Sequence, residues 1–312
     1  MMTEELTGSE LEMLKRWEAE NAGTAIEPNS DAQPEPLALQ NNPNLFLLFL
    51  PRVLSESFIP IRDTKRTEFV RQYKNVFIKL KSIDDKPLPS GVLARKFILW
   101  AITKSKQSKS PIVAIDMSER KLFEQLGIGL TSKTRGMMRR QIRRFSEMLI
   151  EIDYRPKKGK RIIHKGLVFS KIQLEKDDKQ LPLFASETQF SAEFYNSLVQ
   201  LSMPFCGKHI RSINNALTLD VYLWLAIRLP QVPNGSETEI RFASIIHQFG
   251  ITSTTSNFIK SFETAVRNVL DIWTEARGAV VVEGRGKKKV VKLRHVNDVV
   301  ALRDKDNQIG WK

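Results

Sequence analysis

The sequence has little cysteine, little histidine and no long apolar run. Its 312 residues include one cysteine, Cys206, and four histidines. A single cysteine forms neither an internal disulfide nor a structural zinc site by itself, so a disulfide-stabilised secreted domain and a zinc finger are excluded. We expect Cys206 to be a buried core residue.

An uninterrupted apolar run of six residues, 45–50, ends at Pro51, and no apolar run in the sequence exceeds seven residues. It is far shorter than the roughly 20 residues that a membrane-spanning helix needs. The N-terminus lacks the basic start and apolar stretch of a secretory signal. We therefore expect a soluble protein of the bacterial cytoplasm, with no membrane partner.

The residues that commonly carry catalysis are scattered. A rolling-circle nickase needs a His-x-His metal pair near a tyrosine, but the four histidines are isolated from one another: His164, His209, His247 and His295. The stretch 284–287 lacks the spacing of a phosphate loop, and the aspartate pairs at 84–85 and 177–178 lack metal-ligand spacing. We expect no catalytic residue, metal or cofactor, so the protein is predicted not to be an enzyme.

Charge gives the first positive indication of function. Lysine and arginine number 49 against 35 acids, a net charge of +14. Residues 1–40 hold nine acids and two bases, a net −7, which leaves +21 for residues 41–312. A basic body favours a polyanionic partner. Ribosomal and membrane-surface proteins share this balance, so charge alone does not identify the partner.

Composition divides the chain into four parts. Residues 1–44 are predicted to be a disordered acidic leader, since they are rich in Pro, Asn, Glu and Ala without apolar periodicity. A further polar stretch, at residues 176–187, separates two longer segments. We predict a first domain over 45–175, a linker over 176–187 and a second domain over 188–312.

The two longer segments repeat each other, with Trp100 and Trp224 at matching positions. The first contains predicted helices at 92–104 and 133–151, a strand at 111–117, a short helix ending at Gly127, and a hairpin from 149–155 and 161–174. The second contains helices at 217–229 and 256–273, a strand at 238–242, a short helix ending at Gly250, and a hairpin from 279–283 and 290–295. Helix, strand, helix, helix and hairpin predict an α+β fold of two tandem winged-helix domains.

The second and third helices of each segment are predicted to form a helix-turn-helix. Gly127 and Gly250 suit the positive φ of a helix C-cap, and Thr131 and Thr252 can cap the helix that follows. The outward face of helix 133–151 is rich in arginine and is our first predicted DNA contact: Lys133, Arg135, Arg139, Arg140, Arg143 and Arg144.

The outward face of helix 256–273 is chemically varied, and variety suits base reading, because Arg and Lys pair with guanine, Asn with adenine and Glu with cytosine. Its predicted DNA contacts are Ser256, Asn257, Lys260, Glu263, Thr264 and Arg267. The hairpin tips suit phosphate or minor-groove contacts through Lys157, Lys158, Lys160, Arg285, Lys287 and Lys288.

From residue 188 onward the chain resembles the plasmid-encoded RepA family of replication initiators. The residues that carry the resemblance are Phe190, Ser191, Phe194, Tyr195, Leu198, Leu219, Asp220, Val221, Tyr222, Trp224, Leu225, Gln248, Phe249, Gly250 and Phe262. It extends more loosely back to about residue 88 and covers roughly two thirds of the chain. The resemblance implies binding to double-stranded direct repeats, or iterons, at a plasmid origin, melting of an adjacent AT-rich segment, and recruitment of host replication proteins such as a helicase and the host initiator.

A short peptide in the predicted linker resembles the Gln-Leu-x-Leu-Phe sequence by which bacterial proteins dock on the replicative sliding clamp. Its residues are Gln180, Leu181, Leu183 and Phe184. An extended peptide between polar stretches can enter a groove on a partner. The alternative is that these apolar residues begin the core of the second domain.

Two functions remain open. A replication initiator is favoured, and a winged-helix transcriptional repressor is the alternative because it would use the same helices and hairpins. Tandem direct repeats beside the gene would indicate the initiator, and one inverted repeat over the promoter would indicate the repressor. The sequence leaves open whether the resting form is a monomer or a homodimer.

The linker peptide yields a prediction that a melting curve can decide. If it docks on a clamp, Gln180→Ala with Phe184→Ala should abolish clamp pull-down and leave the melting temperature unchanged. If Phe184 is a core residue, the change should create a cavity and cost about 3–5 kcal/mol of stability. A large fall in melting temperature would rule out the docking role.

Overall fold

The computed structural model describes residues 46–55, 58–73, 76–115, 118–155, 161–174, 185–249, 255–284 and 289–297. The predicted acidic leader, residues 1–44, and the clamp-like peptide therefore lie outside the described residues. Helices and antiparallel strands are mixed along the chain, so the α+β class predicted from the sequence is confirmed. All of the described residues belong to one compact unit, Glu35–Lys312.

The described strands form four antiparallel sheets, in the orders β1-β9, β2-β3-β5-β6, β4-β8-β7 and β10-β12-β11. The strands are β1 (Leu47–Pro51), β2 (Glu68–Tyr73), β3 (Val76–Ser82), β4 (Ile112–Ala114), β5 (Met148–Tyr154), β6 (Ile162–Leu167), β7 (Phe169–Leu174), β8 (Ala185–Phe190), β9 (Ser202–Cys206), β10 (Glu237–Arg241), β11 (Val280–Glu283) and β12 (Val290–Arg294).

The described helices are α1 (Gly91–Ser108), α2 (Glu119–Leu126), α3 (Ser132–Ser146), α4 (Ala192–Phe194, continued by a π-helical turn at Tyr195–Val199), α5 (Gly207–Ser212), α6 (Ala216–Arg228), α7 (Phe242–Phe249) and α8 (Thr255–Ile272). No helix in the described ranges is both long enough and apolar enough to cross a membrane. Cys206, at the end of β9, is buried with a free thiol, as expected.

The predicted helix-turn-helix of the first half is present as α2, a turn and α3. Gly127 ends α2 at a φ of +62°, and a Cβ built there would lie 2.3 Å from the carbonyl oxygen of Arg211. Glycine is therefore required both by the left-handed backbone and by the close approach of α5. Thr131 begins α3 with a capping box that Thr134 completes.

The predicted helix 133–151 ends earlier than expected, at Ser146. Its first three apolar positions, Met138, Ile142 and Phe145, are buried as the helical spacing predicts. Leu149 and Ile152 instead lie in β5 and point to opposite faces, one exposed and one buried. The prediction that the helix continues to residue 151 was wrong. Met148, Ile150 and Ile152 recur with period two, which is the pattern of a strand, and β5 accordingly pairs with β3 and β6.

The structure adds strands before α1 that the sequence did not indicate. β1, the apolar run, packs on the first half through a hydrogen bond from the Phe49 amide to Thr103 Oγ1 at 2.8 Å, and it also pairs with β9 of the second half. β2 and β3 form a hairpin that joins β5. In β2 exposed and buried residues alternate, which is the pattern of a sheet with one covered face.

The last residues of the predicted linker, 176–187, belong to a strand. β8, at Ala185–Phe190, pairs with β4 and β7 of the first half. Buried residues from both halves form one continuous hydrophobic cluster. The division into domains at 45–175 and 188–312 stays a prediction, and the described contacts between the halves are extensive.

One hydrogen bond occurs at matching places in both halves. Trp100 of α1 donates its indole N–H to Gln125 of α2, and Trp224 of α6 donates to Gln248 of α7, each at 3.0 Å. A buried indole N–H needs an acceptor, and glutamine at the end of the next helix supplies it in each case. The two helix pairs are thus held together by the same contact.

A buried ion pair joins the first helix of each half. Arg95 of α1 and Asp220 of α6 form two hydrogen bonds, at 2.6 and 2.8 Å, with side chains only 2% and 3% exposed. The same guanidinium donates to the carbonyls of Ile59, Pro60 and Gly91. Because the N–H groups of the guanidinium have acceptors and its charge is balanced by the carboxylate, the fold tolerates burial of this ion pair.

A buried lysine makes a second junction. Lys96 Nζ donates to the carbonyls of Gly127 and Arg211 and to the side-chain oxygen of Asn214. None of these acceptors is a carboxylate. Burial, with a smaller contribution from the Arg211 charge, lowers the pKa of Lys96 from 10.5 to about 8.

Removing one partner of the Arg95–Asp220 pair should be costly. Asp220→Ala leaves the arginine charge buried and unbalanced, so the free energy of unfolding should fall by about 3–5 kcal/mol in a urea titration. Glu151→Ala is the matched control, because its ion pair with Lys165 lies at the surface, with side chains 34% and 65% exposed. The control should lose no more than about 1 kcal/mol. Equal losses in the two variants would contradict the structural role of the buried pair.

Lys96 should make stability depend on pH. Its folded pKa lies below its unfolded value, so between about pH 8 and 10.5 the unfolded chain binds more protons and stability gains a contribution that rises with pH. Relative to Lys96→Met, the free energy of unfolding of the unmodified protein should increase on the order of 1–3 kcal/mol across this window. A difference that stays constant with pH would show that Lys96 does not titrate as expected.

Candidate nucleic-acid interface

The arginine-rich face of α3 is displayed only in part. Met138, Ile142 and Phe145 fix its orientation by facing the core. On the other side three of the six predicted residues are exposed: Lys133, Arg140 and Arg143. Lys133 and Arg140 are seven residues apart, or about two helical turns, and therefore lie along one line of the surface.

The other three predicted residues of α3 are half-buried, and two of them have acidic partners. Arg135 pairs with Glu119 of α2 at 2.8 Å. Arg144, whose side chain is 14% exposed, pairs with Asp63 at 2.9 Å and also donates to the carbonyl of Leu88. These contacts hold α3 against α2 and against the segment before α1. Arg139 is half-buried as well.

In α8 the core face is apolar and the predicted outward face is mostly exposed. Phe258, Phe262, Ala265 and Val269 are buried. Five of the six predicted residues are exposed: Ser256, Asn257, Lys260, Thr264 and Arg267. The face carries amide, hydroxyl, ammonium and guanidinium groups over about three turns.

Glu263 is the exception on this face. It is half-buried, and its carboxylate forms an ion pair with Lys289, which lies just before β12. The backbone of Lys289 in turn accepts a hydrogen bond from the amide of Phe242. Glu263 thus ties α8 to the base of the hairpin, and its assignment to DNA stays a prediction.

The predicted hairpin contacts, Lys157, Lys158, Lys160, Arg285, Lys287 and Lys288, lie outside the described residues. The strands on either side of both tips carry balanced charge. Asp153 pairs with Arg161 and Arg155, which hold the pKa of its carboxyl at about 2. Lys292 of β12 lies between Glu237 and Glu283, and hydrogen bonding to Glu283 raises its pKa.

Two exposed basic residues of α2, Arg120 and Lys121, were not among the predicted contacts. They follow the N-cap Ser118, whose hydroxyl accepts a hydrogen bond from the Lys121 amide. The signal was in the sequence: a capped helix start carrying two positive charges.

Two of the four histidines lie in the core. His164 on β6 and His209 on α5 are buried, each against an aromatic ring, and burial lowers the pKa of His164. No group of three or more His, Cys, Asp or Glu residues that could hold a metal ion occurs in the described part of the chain.

Fold and charge together define a basic α+β protein that displays two polar helix faces. Residues 112–248 match the family described as plasmid-encoded RepA protein, so the resemblance seen in the sequence is confirmed over this region. No curated protein matches the chain significantly.

Two solved structures have a similar fold. A crystal structure of domains 2 and 3 of RctB, as selenomethionine derivatives, matches with a TM-score of 0.52 at 11% identity, over 79% of this chain and 96% of that one. A second structure of RctB domains 2–3 matches with a TM-score of 0.51 at 11% identity, over 81% of this chain and 99% of that one. At this identity the likeness is one of fold.

Proposed function

We propose that the chain is a plasmid replication initiator that binds double-stranded direct repeats through two tandem winged-helix domains and recruits host replication proteins. The observation that carries the proposal is the pair of exposed polar faces on α3 and α8, in a chain that matches plasmid-encoded RepA. A net charge of +14 supports a polyanionic partner.

The second half agrees with a winged-helix domain in both order and pairing. α6, β10, α7 and α8 are followed by the hairpin of β11 and β12, and β12 lies between β10 and β11 in the sheet. In this arrangement the third helix is the one that enters the major groove, and the hairpin flanks it. The varied outward face of α8 therefore suits base reading.

The first half has the same order of elements with a different sheet. α1, β4, α2 and α3 precede the β5–β6 hairpin, but β4 pairs with β8 while the hairpin is extended by β2 and β3. The exposed charged groups of α3 are all cationic. A purely cationic face binds phosphate and distinguishes bases less well than a mixed one. We assign phosphate binding to α3 and sequence readout to α8.

The initiator is preferred to a repressor because of the family match, and it is expected to act without catalysis of its own. Two different DNA-binding helices in one chain can bind one repeat asymmetrically, as direct repeats require. A repressor acting as a symmetric dimer would require an inverted repeat. The clamp-like peptide at Gln180 and Phe184 adds a host partner to the proposal.

Substitutions on the two helices should affect binding in different ways. Lys260→Ala or Arg267→Ala should cost about 1–3 kcal/mol on tandem repeats from beside the gene and should relax the base preference. Arg140→Ala with Arg143→Ala, the exposed arginine pair of α3, should weaken binding to all duplexes and flatten its dependence on salt. Fluorescence anisotropy on repeat and random duplexes measures both effects.

Arg277→Ala is a suitable control, since Arg277 is an exposed arginine beyond the end of α8. It should alter neither affinity nor base preference. If the α3 and α8 variants lose the same affinity on every duplex, the assignment of phosphate binding to α3 and sequence readout to α8 is wrong. If the unmodified protein binds an inverted repeat better than direct repeats, the repressor is the better description.

A further inference from the structure

The segment between Pro60 and β2 is an exposed basic loop that was not among the predicted contacts. Residues 62–66 are all exposed and include Arg62, Lys65 and Arg66 with a single acid, Asp63. We refer to residues 61–67 as the basic loop. Lys65 has a left-handed φ of +54°, and its backbone amide donates a hydrogen bond to the Asp63 carboxylate. The exposed lysine side chain therefore lies at a tight turn of the backbone.

Both ends of the basic loop are fixed by hydrogen bonds. At its start the carbonyl of Pro60 accepts from Arg95 and from the amide of Gly91, the first residue of α1. At its end the carbonyl of Arg66 accepts from the amide of Leu88, and that of Thr67 from the amide of Ser82. The loop is therefore held in one position relative to α1.

The middle of the loop is attached to α3 through the Arg144–Asp63 ion pair. Arg144 lies one turn beyond Arg140, on the same side of the helix. The basic loop is therefore held beside the last turn of α3, close to the exposed Arg140 and Arg143.

Four of the described acids near the loop are paired with bases. Asp63 is neutralised by Arg144, and Glu68, at the start of β2, pairs with Lys79. Lys86 pairs with both Asp84 and Glu147, the residue that follows α3. Asp85 is the remaining acid among the described residues of this region, so the two positive charges of Arg62 and Lys65 still leave the surface of the loop basic.

We propose that the basic loop is a second contact for the phosphate backbone of duplex DNA, bound by Arg62 and Lys65 next to the α3 contact. The inference rests on the proposed binding of DNA and extends it to a surface outside the helix-turn-helix. Because the loop is fixed before binding, little conformational entropy is lost when DNA binds. The contact is to phosphate, so it adds affinity without sequence preference.

The test measures the salt dependence of binding for the full-length protein. Affinity for a random duplex of about 30 base pairs is measured between about 50 and 200 mM salt for the unmodified protein and for Arg62→Ala with Lys65→Ala. Each lost phosphate contact lowers the slope of log affinity against log salt by about 0.9, so the double variant should lose about 1.8. Its melting temperature should be unchanged because both side chains are exposed.

The matched control is Lys104→Ala with Lys109→Ala, which removes the same charge at the far end of α1. That end is about 27 Å from Gly91, where the loop is attached. The control should keep the full slope. A loop variant with the slope of the unmodified protein, or a control that loses as much, would overturn the inference.

The outcome for α3 separates this inference from the proposed function. If Arg140→Ala with Arg143→Ala lowers the slope and the loop variant does not, DNA binding stands and the loop contact fails. If the unmodified protein binds neither random nor repeat duplexes, the proposed function fails and the loop contact fails with it.

Discussion

The Arg95–Asp220 ion pair is the constraint on which the arrangement of the two halves depends. It joins α1 to α6, and the same guanidinium fixes the carbonyls of Ile59 and Pro60, where the basic loop begins. A charge so deeply buried is stable only with all of its partners in place. One side chain thereby connects elements that are far apart in sequence. The half that carries α3 and the half that carries α8 cannot separate without breaking this ion pair and exposing its charges.

Local signals in the sequence predicted local structure well. The glycine at 127, the cap at Thr131 and the matching tryptophans each act within about 25 residues, and the elements that they mark in α1, α2, α6 and α7 are present. The apolar periodicity of α8 likewise predicted its buried face. Such features depend on backbone geometry and on one helix face, which a single sequence carries directly.

Features formed by distant segments could not be predicted in this way. β1 pairs with a strand more than 150 residues later, and β8 completes a sheet of the opposite half. Nothing in a short window identifies the partner of a strand. The face of α3 shows the same limit: its arginines were recognised, but the acids that engage Arg135 and Arg144 lie elsewhere in the chain, so sequence alone overstated how many are displayed.

The pairing of β1 with β9 has a consequence for how the chain can be divided. β9 has β1 as its partner in a two-stranded sheet, so a fragment that begins after Pro51 would present the backbone N–H and C=O groups of Ser202–Cys206 as an open edge. The region that matches plasmid-encoded RepA, residues 112–248, lacks that covering strand and also lacks α8 and β12. The matched segment is therefore not a self-sufficient folding unit, and fragments cut to its limits would be expected to associate through the uncovered strand.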